Sequence, residues 1–213
     1  MTPARPSRSA QNVALVRAHL TRLGIVDDPH ARRMLSPDRR RTAAVFHLPG
    51  VRYRIVGLPG LAARTRFFDA FVDDALDEGI RQVVVVGAGY DSRAWRLARP
   101  GVTFFEVDQP ATQDDKRAKA PDGGPVYVAA DVTDPRLPET LRRAGLRADR
   151  PTAFTLEGLV AYMSTEEVAA LFTRLADLVA ARQDRAPLVA TYRGTPDAIA
   201  RFEVAFGVGS RPG

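Results

Sequence analysis

The segment Gln82–Val86 is a run of mostly β-branched residues that leads directly into Gly87-Ala88-Gly89. Such a run is typical of a strand buried on both faces of a sheet, and the two glycines allow a tight turn into a helix. Four more short apolar runs follow, over residues 102–107, 126–130, 152–156 and 188–192. Short strands that alternate with helices predict right-handed crossovers and a mostly parallel, doubly wound sheet of the α/β class.

The first 80 residues have a different pattern. Apolar residues at helical spacing predict helices over residues 10–23 and 61–76. Between them, Pro29 suits a first helical turn and predicts a short helix over residues 29–35. Pro37 is expected to end the second helix, and the Gly- and Pro-rich residues 37–60 are predicted to form a loop. We therefore expect three segments: a flexible tail over residues 1–9, a helical segment over residues 10–80 that caps the site, and a sheet region over residues 81–213 that forms one domain with it.

Composition excludes several classes of site. The chain of 213 residues has no cysteine, which removes disulfides, thiolate zinc sites and cysteine nucleophiles. Its three histidines are not spaced as metal ligands, so no metal site is expected. The first nine residues contain no apolar run and no stretch reaches 18 apolar residues, which predicts a cytoplasmic protein without a membrane span.

The formal net charge is +6, and 29 of the 31 basic residues are arginine, spread along the whole chain. An even spread of this kind indicates a compositional preference for arginine rather than a binding patch. The densest run, Arg39-Arg40-Arg41, leaves a nucleic-acid partner open as the less favoured alternative.

Ligands of an open parallel sheet bind beyond the carboxyl ends of its strands. The turn with Gly87 and Gly89 follows the first strand and allows close approach of a ligand, although a tight turn without a ligand would need the same residues. Ser92 stands where the dinucleotide fingerprint requires a third glycine. A compact nucleoside site is therefore favoured over a site for NAD.

Acidic residues follow the next three predicted strands. Asp108, with Glu106 on the same strand face, ends the second strand at the distance from the glycines where a carboxylate can accept from a ribose diol. Asp131 and Val132 follow the third strand and Glu157 follows the fourth. A helix cap at Asp108 and an Asx-turn at Asp131 are the structural alternatives.

Four motifs in fixed order carry a family resemblance. They are ARTRFFD over residues 63–69, VVGAGYDSRAWRL over 85–97, FFEVDQP over 104–110 and LEGLVAYM over 156–163. Together they resemble the leucine carboxyl methyltransferase family, in particular its actinobacterial branch, which depends on S-adenosyl-L-methionine. The resemblance extends from about residue 13 to residue 192. It implies a Rossmann-like class I methyltransferase sheet with a helical N-terminal extension.

The resemblance also assigns cofactor contacts by position. Arg64, with Arg17 of the first helix as a second basic residue, would bind the methionine carboxylate, although a surface position is the alternative for Arg17. The remaining implied contacts are Gly87 at the amino-acid part, Asp108 at the ribose, Asp131 and Val132 at the adenine, and Glu157 at the methionine amino group. Gly89, in the same turn as Gly87, is a further expected cofactor contact.

The family's sheet has seven strands, whereas residues 196–206 are predicted here to form a helix, so strands six and seven are expected to be missing. The chain then resembles a shortened member, or one whose sheet edge is completed by a second copy in a homo-oligomer.

The implied activity is O-methylation of a carboxylate or hydroxyl on a small molecule or peptide. A hydroxyl acceptor would require a base, for which His47 and Tyr162 are the candidates. Three alternatives stay open: a cofactor-binding homologue impaired in catalysis, a nucleic-acid methyltransferase, and, disfavoured by Ser92, an NAD oxidoreductase.

Overall fold

A computed structural model of the protein describes residues 5–45, 58–179, 185–191 and 199–205. Six strands in the described residues form one sheet: β1 (Gln82–Val86), β2 (Thr103–Asp108), β3 (Val126–Ala129), β4 (Thr152–Leu156), β5 (Arg185–Thr191) and β6 (Ile199–Ala205). Their order is β3-β2-β1-β4-β5-β6, and all neighbouring pairs are parallel except β5 and β6. The predicted α/β class with a mostly parallel sheet is thus confirmed.

Seven α-helices and one 3₁₀ helix occur in the described part of the chain. The helices are α1 (Arg8–Arg22), α2 (Pro37–Val45), α3 (Leu58–Asp77), α4 (Arg93–Arg96), α5 (Pro110–Arg117), α6 (Leu137–Arg143) and α7 (Thr165–Val179), and the 3₁₀ helix spans Val160–Tyr162. Among these residues, no helix combines the length and the apolar composition that crossing a membrane requires.

The chain divides into two compact units. The helical unit contains Met1–Ala70, Gly89–Ala98 and Pro110–Gly124, and the sheet unit contains Phe71–Ala88, Arg99–Gln109 and Pro125–Gly213. Helix α3 contributes residues to both units.

The core of the sheet unit explains why its strands read as continuous apolar runs. Alternate residues of β1, β2 and β4 point into one cluster with α6 and α7, formed by Val84, Val86, Phe105, Val107, Phe154, Leu156, Leu137, Leu141, Leu171, Leu175 and Leu178. On β4, the intervening Ala153 packs with Ala75 and Ile80 in a second cluster. Because both faces of the central strands are covered, all five residues of β1 and of β4 are buried.

The core of the helical unit is smaller and is supported by a buried amide. Ala14 and Leu15 of α1 pack with Met34, Leu35 and the ring of Tyr90. Buried Gln11 of α1 donates to the carbonyl of Met34 at 3.0 Å and accepts from the backbone N–H of Ser36 at 2.8 Å. This amide joins α1 to the segment that precedes α2.

The predicted helix over residues 29–35 and its end at Pro37 were wrong. The segment is a series of turns, because its backbone hydrogen bonds are mainly of the i→i+3 kind: Ala31 N–H donates to the Asp28 carbonyl at 3.2 Å, Arg33 to His30 at 3.0 Å and Leu35 to Arg32 at 3.3 Å. The Asp28 side chain caps the first turn, with Oδ1 accepting from the backbone N–H groups of His30 and Ala31. Pro37 begins α2, where its fixed φ suits a first helical turn and its missing N–H costs nothing.

The predicted absence of a sixth strand was also wrong. Residues that were expected to be helical form β6, antiparallel to β5 over the register from Arg185 with Ala205 to Thr191 with Ile199. In the sequence of β6, Phe202 and Val204 alternate with charged residues at the two-residue period of a strand. The backbone groups of β5 thereby have a partner strand on this side.

Candidate functional site

The loops after β1, β2, β3 and β4 lie at the same edge of the sheet, because these strands are parallel. The connection order reverses at β1, which pairs with β2 on one side and β4 on the other. Such a reversal opens a crevice at the carboxyl edge, where ligands of this fold class bind. Four predicted residues of the sheet unit end these strands or follow them within two residues: Gly87, Asp108, Asp131 and Glu157.

Gly87 turns the chain sharply out of β1. Its φ is +69°, and its backbone N–H donates to the carbonyl of Val107 at 2.9 Å, as does that of Ala88 at 3.0 Å. A β-carbon at Gly87 would lie 3.0 Å from Cδ1 of Leu159, which belongs to the loop after β4. The loops after β1 and β4 therefore touch at a position where the positive φ and the close approach of Leu159 both disfavour a side chain.

Asp108 is the last residue of β2 and is half-buried. Its Oδ1 accepts from the backbone N–H of Gln109 at 2.7 Å, which orients the carboxylate at the strand end. A carboxylate in this position can accept from the two hydroxyls of a ribose. Glu106, on the same face of β2, is fully buried.

Asp131 is exposed and forms the Asx-turn that was its structural alternative. Its Oδ1 accepts from Thr133 twice, from the backbone N–H at 2.8 Å and from Oγ1 at 2.7 Å. These two hydrogen bonds lower the pKa of Asp131. Val132 is half-buried against the core of the sheet unit, and its carbonyl accepts from Nη2 of Arg174 at 3.3 Å.

The loop after β4 leads from half-buried Glu157 to the 3₁₀ helix. Gly158 has a φ of +69°, and Tyr162 at the end of this helix is 74% exposed. The start of α7 has a capping box: the backbone N–H of Ser164 donates to Glu167 Oε2 at 2.7 Å, and that of Glu167 donates to Ser164 Oγ at 3.2 Å. The cap marks where the loop ends and α7 begins.

In the helical unit, Arg17 is not a surface residue. It is buried, its Nε lies 3.1 Å from Oδ2 of the equally buried Asp28, and its Nη2 donates to the carbonyl of Tyr90. Arg17 therefore supports the chain directly after Gly89 from the inside of this unit.

Gly89 and Arg64 are the other predicted contacts that belong to the helical unit. Gly89 is buried with a φ of +51°, and a β-carbon there would lie 2.8 Å from the β-carbon of Ala10 in α1. Arg64 is half-buried on α3. His47 falls within residues 46–57, outside the described residues.

The segment after Gly89 holds a buried ion-pair network that the sequence analysis did not assign. Arg93 is fully buried, pairs with Asp91, and places its Nε 2.7 Å from Oδ1 of Asp69 on α3. Arg96 also pairs with Asp69, with Nη1 to Oδ2 at 2.7 Å and Nη2 to Oδ1 at 2.8 Å. The only signal in the sequence was that these residues lie within the YDSRAWR and RTRFFD motifs.

The electrostatics of Asp91 follow from this network. Burial by itself would raise the pKa of Asp91, but the charges of Arg93, Arg17 and Lys116, with a hydrogen bond from the Arg93 backbone, hold it well below its usual range. The carboxylate is therefore ionised in the interior of the helical unit.

Leu159 was likewise missed. Leucine in a loop has no chemical signature, and its contact with Gly87 joins two residues that are far apart in the chain.

The family model for leucine carboxyl methyltransferases matches residues 10–176. A Mycobacterium leprae protein provisionally named an S-adenosyl-L-methionine-dependent methyltransferase is 41% identical over 140 residues, which cover 62% of this chain and 46% of the relative. A Mycobacterium avium protein with the same provisional name is 36% identical over 176 residues, 74% of this chain and 56% of the relative. The chain thus spans about half the length of these curated relatives.

Solved structures agree on the fold. A provisionally named methyltransferase from Thermobifida fusca superposes with a TM-score of 0.56 at 21% identity, covering 92% of this chain and 70% of that one. A DUF574 family protein from Streptomyces avermitilis superposes with a TM-score of 0.54 at 20% identity, covering 87% of this chain and 68% of that one. Because the family model accounts for most of the sequence, the chain belongs to the leucine carboxyl methyltransferase family.

Proposed function

We propose that the protein binds S-adenosyl-L-methionine and is a methyltransferase. The observation that carries this proposal is the row of loops after β1, β2, β3 and β4, which brings Gly87, Asp108, Asp131 and Glu157 to the carboxyl edge beside the reversal at β1. Family membership and the provisional names of the mycobacterial relatives support the same cofactor.

The donor set of the sheet unit fits the chemistry of this cofactor. Asp108 has a carboxylate suited to a ribose diol, and Glu157 has one suited to the ammonium group of the methionine part. Gly87 presents backbone without a side chain, which allows the amino-acid part to approach closely. Asp131 and Val132 are proposed for the adenine, with the turn formed by Asp131 orienting the backbone beside the ring.

In the helical unit, Arg64 is proposed to bind the methionine carboxylate, since a guanidinium pairs with a carboxylate through two parallel hydrogen bonds. Arg17 as a second ligand stays a prediction. Its contacts with Asp28 and the Tyr90 carbonyl support a role in shaping the turn that includes Gly89.

We further propose that the acceptor atom is a carboxylate or hydroxyl oxygen on a small molecule or peptide. The bound cofactor would supply an electrophilic methyl group on a sulfonium. The chain would align the acceptor in line with that methyl and exclude water. A carboxylate acceptor is ionised at neutral pH and needs no base. For a hydroxyl acceptor, His47 and Tyr162 are the proposed acceptor-side residues, and Tyr162 is exposed.

Calorimetric titration with S-adenosyl-L-methionine tests the cofactor. We expect saturable binding with one cofactor per chain, and an absence of heat together with an unshifted melting temperature would contradict the proposal. Incubation with the cofactor and acceptor panels of carboxylic acids and alcohols, read by mass spectrometry, then tests the transfer. A methyl ester or methyl ether as product would identify the acceptor atom.

A further inference from the structure

Asp69 is the point where two arginines meet in the helical unit. It lies on α3, one residue beyond Phe68, and receives two hydrogen bonds from the Arg96 guanidinium and one from Arg93 Nε at 2.7 Å. The guanidinium carbon of Arg93 also lies 5.5 Å from the ring centre of Phe68, over its face. Helix α3 is therefore joined to the segment after Gly89 by both charge and an aromatic contact.

Arg93 connects this point to the glycine turn. Its side chain is fully buried and pairs with Asp69 through Nε and with Asp91 through Nη1, while its backbone N–H donates to Asp91 Oδ1 at 2.7 Å. Asp91 in turn is two residues beyond Gly89. A planar guanidinium can hold two carboxylates in fixed directions, whereas a lysine ammonium fixes neither direction.

The bridge joins two proposed contacts of the same unit. Arg64 precedes Asp69 by five residues on α3, a rise of about 7.5 Å along the helix axis. Gly89 precedes Arg93 by four residues. The pairing of Asp69 with Arg93 therefore sets where Arg64 lies relative to the Gly89 turn.

We propose that Arg93 is a positioning residue for the amino-acid part of the cofactor. By pairing with Asp69 and Asp91 at once, it holds the helix that carries Arg64 in register with the turn that carries Gly89. The proposal rests on the proposed function and goes beyond it, because it assigns a role to three residues that need not touch the cofactor.

The test compares two probes in the full chain. S-adenosyl-L-homocysteine has the amino-acid part, and methylthioadenosine lacks it. In Arg93→Lys and in Asp69→Asn, we expect the affinity for S-adenosyl-L-homocysteine to fall by about tenfold or more, while that for methylthioadenosine changes by less than about twofold. Asp69→Asn keeps the shape of the side chain and leaves the pair of Arg93 with Asp91 in place. It therefore tests the proposal even if Arg93→Lys does not fold.

Asp73→Asn is the matched control. Asp73 lies one turn further along α3 and also pairs with an arginine, but Arg99 and Asp73 are 34% and 52% exposed. We expect this variant to bind both probes as the unaltered protein does. An unchanged affinity for S-adenosyl-L-homocysteine, or an equal fall for both probes, would overturn the positioning role. Failure of the unaltered protein to bind S-adenosyl-L-homocysteine would instead overturn the proposed function on which that role rests.

Discussion

The side chain of Leu159 lies against Gly87 at the edge of the sheet where β1 and β4 end. A β-carbon at Gly87 would be 3.0 Å from Leu159 Cδ1 and 3.2 Å from its Cβ. The loop after β4 therefore constrains the turn after β1 by direct contact, in addition to the positive φ that already favours glycine there.

Replacing Gly87 by alanine should destabilise the protein for two reasons, backbone strain and the clash with Leu159. Gly101→Ala isolates the first reason, since Gly101 has a similar φ of +76° and open space around it. We expect the free energy of unfolding of Gly87→Ala, measured in urea, to fall by about 1–2 kcal/mol more than that of Gly101→Ala.

The double variant Gly87→Ala with Leu159→Ala completes this experiment. It should recover part of the excess loss, measured against Leu159→Ala alone, because alanine removes both δ-carbons of Leu159 but keeps the Cβ at 3.2 Å. Equal losses for Gly87→Ala and Gly101→Ala would show that Leu159 does not constrain the turn.

Removing Asp28 should be among the most damaging changes in the helical unit. Its side chain is fully buried beside Arg17, which is 3% exposed, so Asp28→Ala leaves a charge in the interior without its ion-pair partner. We expect the free energy of unfolding to fall by about 3–5 kcal/mol. Asp149→Ala, which removes the exposed partner of Arg147, should leave the stability nearly unchanged. A similar small effect for both variants would contradict the buried pairing.

Asp91 should make stability depend on acid pH. Because its pKa in the folded protein lies below the ordinary 3.8, it stabilises the fold fully above about pH 5, and this contribution is lost as the pH falls through its folded pKa. The stability difference between the unaltered protein and Asp91→Asn should therefore shrink on acidification below about pH 4. Urea unfolding of both proteins at a series of pH values measures this stability difference.

Asp134→Asn provides the comparison for this pH series. The pKa of Asp134 is also lowered, mainly by its hydrogen bond with Arg136, but Asp134 is only half-buried and Arg136 is exposed, so water screens the pair. The free energy of unfolding of Asp134→Asn should stay close to that of the unaltered protein at every pH of the series. A difference for Asp91→Asn that stays constant down to pH 3 would contradict the expected titration.

Asp108→Ala and Arg64→Ala test the proposed contacts with the ribose and with the methionine carboxylate of the cofactor. Each should weaken binding of S-adenosyl-L-methionine by about tenfold or more, or about 1.4 kcal/mol, in calorimetric titrations. Asp149→Ala, which also removes a carboxylate but at an exposed ion pair, is the control and should bind the cofactor as the unaltered protein does. Unchanged affinity in both variants would refute the site assignment even if the unaltered protein binds the cofactor.

Patterns between near neighbours in the chain were sufficient for much of the fold. The run at Gln82–Val86 and the spacing of the later apolar runs predicted the parallel strands. Proline was ambiguous even locally, because the same ring that ends a helix suits a first turn, and Pro37 begins α2.

Only the tertiary structure decided which charges meet. Arg17 and the Tyr90 carbonyl are 73 positions apart, and Arg93 and Asp69 are 24 apart, so no periodicity in the sequence links them. For β6 the sequence does carry the two-residue alternation of a strand, and the tertiary structure adds its antiparallel pairing with β5. The sequence alone determined the strand pattern and the residues at the strand ends, since these depend on local periodicity. Packing between distant segments decided the ion pairs and the contact of Leu159 with Gly87.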